Sequence, residues 1–253
     1  MTDLVSAEWV KLRSVQSTFY AVFAVVMFVA MSGLIAWQTA GRWDAADATQ
    51  QGEFHSMTPE SGLLMFVQLC VAALGVLAVT SEYATGMIRT TLTAVPQRGW
   101  MLAAKATLIG AIALAIGQAS AFAMFFLSRL IVGDRPIPGY LTQVLDEVPR
   151  LLSLGLSVMV VGLVGLGLGV ITRSTTGALT AVVALLFVFP TLGQLLPKPW
   201  DERFVALTLN ALPSQLAGAE GSYFSPGVAL AALLGYVVLA LGAAWVVLRG
   251  NDA

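Results

Sequence analysis

Residues 62–105 read GLLMFVQLCVAALGVLAVTSEYATGMIRTTLTAVPQRGWMLAAK. The stretch from Gly62 to Thr80 carries no charge, and Glu82, Arg89, Arg98 and Lys105 then follow in close succession. A helix needs about 20 apolar residues to cross a hydrocarbon core roughly 30 Å thick. The first part of the stretch meets that length, and the second part reads as the polar turn that ends the crossing.

Working outward, uncharged runs of this kind occur six times: Phe19 to Trp37, Gly62 to Thr80, Ala106 to Ser128, Leu151 to Thr172, Gly177 to Leu196 and Phe224 to Leu248. They are continuously apolar rather than alternating, which excludes an outer-membrane barrel. Composition agrees. The chain is 58% hydrophobic and 11% charged over 253 residues, against about 25% charged in a soluble domain, and its mean hydropathy is +0.84. The expected fold is all-α and integral to the membrane, one domain over residues 1–253. Its helices are expected at about 18–38, 62–80, 100–130, 150–172, 176–196 and 224–248. The first run begins only after eighteen polar or mixed residues, so it reads as a retained helix rather than a cleaved signal. Cys70, the single cysteine, lies inside the second run as a core or lipid-facing residue and leaves no intrachain disulfide to form.

An even number of crossings puts both termini on one side. With the termini inside, seven cations are cytosolic (Lys11, Arg13, Arg89, Arg98, Lys105, Arg173 and Arg249) and six are outside (Arg42, Arg129, Arg135, Arg150, Lys198 and Arg203). The margin is thin, but the outside loops are longer and Lys11 and Arg13 precede the first helix, so the positive-inside rule favours cytoplasmic termini. The outer segments are then roughly 38–61, 129–150 and 197–223. In the third, Trp200, Phe204, Leu207 and Leu209 break up the polarity, and Pro213 and Gly218 interrupt it. It reads either as a short helix lying on or dipping into the outer face, or as a capped surface loop.

None of the six runs contains Asp, Glu, Lys, Arg or His. A proton- or sodium-coupled pump normally carries a carboxylate at depth, and an intramembrane enzyme needs ionisable groups there. His55 lies in the first outer loop, and one His with one Cys assembles no zinc or haem site. Gln68, Gln118, Ser120, Ser153, Ser157, Thr180 and Gln194 remain as uncharged polar groups that line a pathway or tie helices together. Gly155, Gly162, Gly165, Gly167 and Gly169 leave the fourth helix with little side chain, and Gly165 and Gly169 form a G-x-x-x-G pair suited to a packing face. Pro190 predicts a kink in the fifth helix, with Gly193 adding freedom. Lys11, Lys105 and Lys198 are followed by Leu12, Ala106 and Pro199, so no G-x-x-x-x-G-K-[ST] phosphate loop exists.

At about 100° per residue, Glu82, Thr85, Gly86, Arg89 and Thr93 share one arc of a helix over 82–95, and Ala84, Met87, Ile88, Leu92 and Val95 share the opposite one. Pro96 ends this amphipathic helix, Gln97, Arg98 and Gly99 make the turn, and Trp100 marks the membrane interface. Lys105 is expected to extend its stem back to the headgroups. Such a helix either floats on lipid or docks in a cytosolic partner. Docking accounts for Glu82 and Arg89 together, on the face turned from the membrane.

The string S-E-Y-x-x-G-M-I-R-T-T-L-T-x-V-P-x-R, with a lysine seven residues later, resembles the segment between the second and third helices of six-helix ABC-2-type exporter permeases from bacteria. Glu82, Gly86, Pro96, Arg98 and Lys105 match its positions. The stretch SAEWVKLRSVQSTFY resembles the family's amphipathic connector helix, and NALPSQLAGA its broken, re-entrant region between the fifth and sixth helices. The resemblance implies a multi-pass subunit of the cytoplasmic membrane with a second permease chain, identical or different, and two nucleotide-binding subunits beneath. ATP and Mg²⁺ would sit on those partners and no cofactor on this chain, which would touch membrane lipids and no nucleic acid. The coupling helix would be 82–95, with Glu82, Tyr83, Thr85, Gly86, Arg89 and Thr93 followed by Pro96, Arg98 and Lys105 as partner-coupling residues. Glu8, Lys11 and Arg13 of the connector, and Arg173, would add secondary contacts. Gln68, Gln118, Ser153, Ser157, Gly165, Gly169, Pro190 and Gln194 would line the pathway or pack helices, the glycine-rich fourth helix and Pro190 being the yielding points. The function implied is ATP-driven export of a hydrophobic or amphipathic substrate such as a drug, antibiotic peptide or lipid. The alternative is a membrane anchor or sensor that regulates a cytosolic partner without transport.

Overall fold

Thr58 and Pro59 open the second long helix and Gly86 closes it. Proline fits the first helical turn, where its missing N–H has no partner to lose, and Gly86 takes the left-handed conformation (φ 71°) that ends many helices. The same logic repeats along the chain. The computed structural model describes residues 16–86, 98–219 and 221–250, and the described residues form helices, turns and loops with no strand among them.

Six helices are long and apolar enough to cross a membrane. They are α1 (Gln16–Ala45), α2 (Pro59–Thr85), α3 (Arg98–Val132), α4 (Val144–Thr172), α5 (Thr175–Gly193) and α6 (Pro226–Gly250). The chain is a six-helix integral membrane bundle. Most of the helices outrun the uncharged stretches that announced them. α2 has 27 residues and is therefore about 40 Å long, so it carries Glu60 and Glu82 near its two ends. The expectation of bare membrane helices holds for their middles only.

One correction concerns the expected amphipathic helix over 82–95. Residues 82–85 are the last turn of α2, and Gly86 stops that helix. Ala84 and Thr85 are exposed while Glu82 is buried, the reverse of the predicted faces for Ala84 and Glu82. Glu8, Lys11 and Arg13 lie outside the described residues, as do Arg89, Thr93 and Pro96. Arg98 opens α3.

α4 is the most buried of the six and packs against α2, α3, α5 and α6. Its glycines explain why. A Cβ added at Gly165 would stand 2.6 Å from the Ala72 carbonyl oxygen, and one at Gly169 would stand 2.7 Å from Val79 Cγ1. From the other side, a Cβ at Gly75 would stand 2.2 Å from the Gly162 carbonyl. The G-x-x-x-G pair therefore faces α2, with backbones in contact. Gly167 does the same toward α6, where its Cβ would meet the Ala240 carbonyl at 2.7 Å.

Between α5 and α6 the chain folds back into the bundle as two short helices, Trp200–Ala206 and Leu212–Leu216. Leu209 and Leu212 are fully buried against Val160, Val161 and Val164 of α4 and Leu233 of α6. The Tyr236 hydroxyl, ten residues into α6, donates to the Leu207 carbonyl at 3.0 Å. Of the two readings offered for this segment, the structure shows the one that dips inward. The Gln215 amide joins its two legs, donating to the Ala206 carbonyl and accepting from the Phe224 N–H.

Candidate functional site

Among the described residues, Glu82, Tyr83, Thr85, Lys105 and Arg173, all expected to meet a partner, lie at one end of the bundle. Glu82 on the last turn of α2 and Lys105, two turns into α3, form an ion pair of 2.7 Å with 0% and 1% of their side chains exposed. Lys105 Nζ also donates to the Ala78 carbonyl at 3.2 Å. The pair links the antiparallel α2 and α3, because opposite charges stand near the facing ends of the two helices. This corrects two expectations. Glu82 is turned into the bundle rather than offered outward, and Lys105 is held by Glu82 rather than extended to headgroups. Removing both ions from water is costly, and only mutual contact with further hydrogen bonds offsets it.

Around this pair the other elements close in. Arg173 caps α4 in the left-handed region (φ 52°), its N–H bonded to the Gly169 carbonyl. Its guanidinium lies 5.6 Å from the centre of the Tyr83 ring. Thr175 donates to Thr80 at 2.8 Å, joining the start of α5 to α2. Thr85 bonds back to the Ser81 carbonyl at 2.8 Å. Arg249, at the end of α6, stacks 3.8 Å from the Trp245 ring, and Trp245 Nε1 approaches Gly99 at the start of α3. Five of the six helices thus meet at one end, where their own side chains join them.

Several polar residues within the helices bond one element to another. Gln68 donates to Ser157 at 2.9 Å between α2 and α4, and Gln118 to the Leu152 carbonyl at 2.9 Å between α3 and α4. Ser153 donates to the Pro213 carbonyl at 2.7 Å, anchoring the inward-folded pair to α4. Gln194 follows α5 as its cap, with its N–H bonded to the Pro190 carbonyl. The fifth helix is interrupted by a π turn at Ala184–Val188 immediately before Pro190. Proline has no N–H to give the carbonyl four residues back. That carbonyl belongs to Leu186, and Asn210 Nδ2 supplies the missing donor at 2.7 Å.

The far end holds a second charged cluster that sequence reasoning left in the loops. Arg150 of α4 reaches Glu147 at 2.8 Å, Glu60 of α2 at 3.4 Å, and the hydroxyls of Ser61 and Thr58 at 2.7 and 3.0 Å. Glu60 is fully buried. Arg129 of α3 donates to Thr142, which in turn donates to Glu147 at 2.8 Å. Asp44 and Arg135 clamp α1 to the loop after α3 through two bonds of 2.8 and 2.9 Å. Tyr140, in the same loop, is pushed up to about 12, first by burial and then by the negative charge of Glu60. The available signal was a carboxylate in the first turn of a spanning helix, opposite an arginine at the start of another.

No curated protein sequence matches the chain significantly. A family model described as ABC-2 family transporter protein matches residues 4–191, a span that reaches from before α1 into α5. With that match covering most of a six-helix membrane bundle, the chain belongs to the ABC-2 transporter family, as the permease component that associates with an ABC ATPase subunit.

Proposed function

We propose that this chain is the pathway-forming subunit of an ATP-driven exporter in the cytoplasmic membrane. In this reading it pairs with a second permease chain and takes its energy from ATP and Mg²⁺ bound on a separate nucleotide-binding subunit. The termini and the residues linking α2 to α3 face the cytosol, where the partner sits, and the cargo is hydrophobic or amphipathic.

The observation that supports this reading is the gathering of Glu82, Tyr83, Lys105 and Arg173 at one end of the bundle. Energy coupling between two proteins requires an element whose displacement is carried onward rather than absorbed. Two helices pinned together by a buried ion pair meet that need. Glu82 and Lys105 then act by holding α2 to α3, and the contact with the partner falls to the residues between them.

Purification in mild detergent, followed by identification of every attached chain and its ratio, tests the assembly. The expected result is one ATP-binding chain per permease chain, with ATP hydrolysis stimulated by an amphipathic cargo and with cargo moved out of the cytosolic compartment. A chain that purifies without an ATP-binding partner, or a partner whose ATPase is indifferent to every cargo while cytosolic signalling depends on the complex, would replace transport with the anchor reading.

A further inference from the structure

An open cavity of ≈ 500 Å³ lies between the two inward-folded helices and the chain that leads into α6, lined by Glu202, Val205, Ser214, Gln215, Ser222 and Tyr223 among others. It sits at the end of the bundle remote from Glu82 and Lys105. Its size is that of a small-molecule site. Its wall offers hydroxyl lone pairs. The Ser214 hydroxyl donates to the Ala211 carbonyl at 2.7 Å and the Ser222 hydroxyl to the Ala219 carbonyl, so both hydrogens are used within the protein and the lone pairs remain. One amide hydrogen of Gln215 is taken by the Ala206 carbonyl.

The charges point the same way. Glu202 is the charged residue among the described lining residues. Arg203, its neighbour, is turned to the Tyr223 hydroxyl at 2.7 Å and to the Trp200 ring, 5.5 Å from its centre. Among the described residues, Glu202 pairs with Lys198, 3.3 Å away, on side chains 80% (Lys198) and 52% (Glu202) exposed. An exposed pair of this kind is weak, and an incoming cation can displace it. The ring of Tyr223 offers a further attraction to a cation.

We infer that this cavity is a binding site for a primary ammonium head group carried on an apolar body. The ammonium donates to the Glu202 carboxylate and to the lone pairs of Ser214 and Ser222, and the apolar part lies along Val205 and its neighbours. The head group has two sources, a cationic amphiphile handled as cargo or the ethanolamine of a membrane phospholipid. Its meaning as cargo rests on the exporter reading above, whereas the binding itself does not.

The test is calorimetric titration of octylammonium into phosphatidylcholine nanodiscs that hold the permease, with empty nanodiscs as the blank and octanol as the uncharged comparator. Octylammonium is expected to bind at least fivefold more tightly than octanol. Glu202→Gln should weaken it about fivefold, the value of one partly exposed ionic contact. Lys198→Ala should strengthen it, because the internal competitor is gone. Competition when phosphatidylethanolamine is included identifies the lipid as the natural source, and its absence identifies the solute. Equal binding of octanol and octylammonium, or a Glu202→Gln chain that binds as the parent does, would overturn the site. No ATPase partner is present in this measurement, so failure of the exporter reading leaves the result intact, and failure of the site leaves that reading intact.

Discussion

Replacing Lys105 by methionine keeps the length of the stem and removes the charge, which isolates the ion pair from packing. At 2.7 Å the attraction is about 6 kcal/mol for an effective dielectric near 20, and desolvating two ions opposes it by several kcal/mol each. The pair therefore contributes little net stability, yet either half alone is expensive. Lys105→Met is expected to cost about 3–5 kcal/mol, because Glu82 stays fully buried without Lys105. Glu82→Gln is expected to cost a similar amount. The double variant, which leaves no buried ion behind, should recover most of the loss. For a chain of this size about 1 kcal/mol corresponds to 2–4 °C, so each single variant should melt about 6–20 °C below the parent in mild detergent. The decisive quantity is the coupling in the cycle, since independent sites add and a pair does not. Two outcomes refute the reasoning. One is losses that add in the double variant. The other is a Glu82→Gln chain that melts like the parent but stimulates its ATPase less, which would return Glu82 to the partner surface.

Gly75→Ala puts a Cβ 2.2 Å from the Gly162 carbonyl. An ordinary C–H to oxygen contact is about 3.3 Å, so α2 and α4 must part by about 1 Å and the melting point should fall by several degrees. Gly235→Ala, with nothing within 4 Å on α6, should hold or raise it by the helix propensity of alanine, about 1 kcal/mol. Asn210→Leu strips the Leu186 carbonyl of its donor and should cost about 1–3 kcal/mol, and adding Pro190→Ala to that variant should restore part of it by supplying the backbone N–H. Tyr140, protonated in the fold up to about 12, ionises near 10 when unfolded. Its contribution to stability is therefore complete below pH 10 and lost as pH rises toward 12, and Tyr140→Phe should flatten that part of an alkaline melting profile.

The number of helices was legible because each crossing needs a long uncharged run, and no soluble arrangement tolerates six of them. The resemblance in residues 81–105 was legible because its residue types sit at fixed spacings. The helix limits were less so. α2 begins at Pro59, ahead of the apolar run at Gly62, since proline and the carboxylate of Glu60 suit a first turn. Periodicity misplaced Glu82 because a stripe of alternating character continues through Gly86, and the hundred-degree rule does not register a left-handed cap. The partner of Glu82 was hidden as well. Lys105 lies 23 residues onward, and only the antiparallel return of α3 brings it alongside. Asn210 offered no periodic signal at all, although a proline within a helix always leaves a carbonyl to be served.

The arrangement of charge and glycine says where the bundle is stiff. Glu60 and Glu82 are 22 residues apart on α2, about 33 Å, which matches a hydrocarbon core of about 30 Å. Each is fixed to a different neighbour, Glu60 to α4 through Arg150 and Glu82 to α3 through Lys105. Between them, the faces of α2 and α4 touch backbone to backbone at Gly75 and Gly165. Val71 and Val79 pack on the same seam, against Gly162 and Gly169. α5 is different. Its ladder is broken by a π turn and by Pro190, and a side chain from another segment, Asn210, completes it. One bond of 2.7 Å is worth about 1 kcal/mol net, less than parting the seam. Asn210→Leu should therefore loosen α5 against the inward-folded pair before the α2–α4 seam opens.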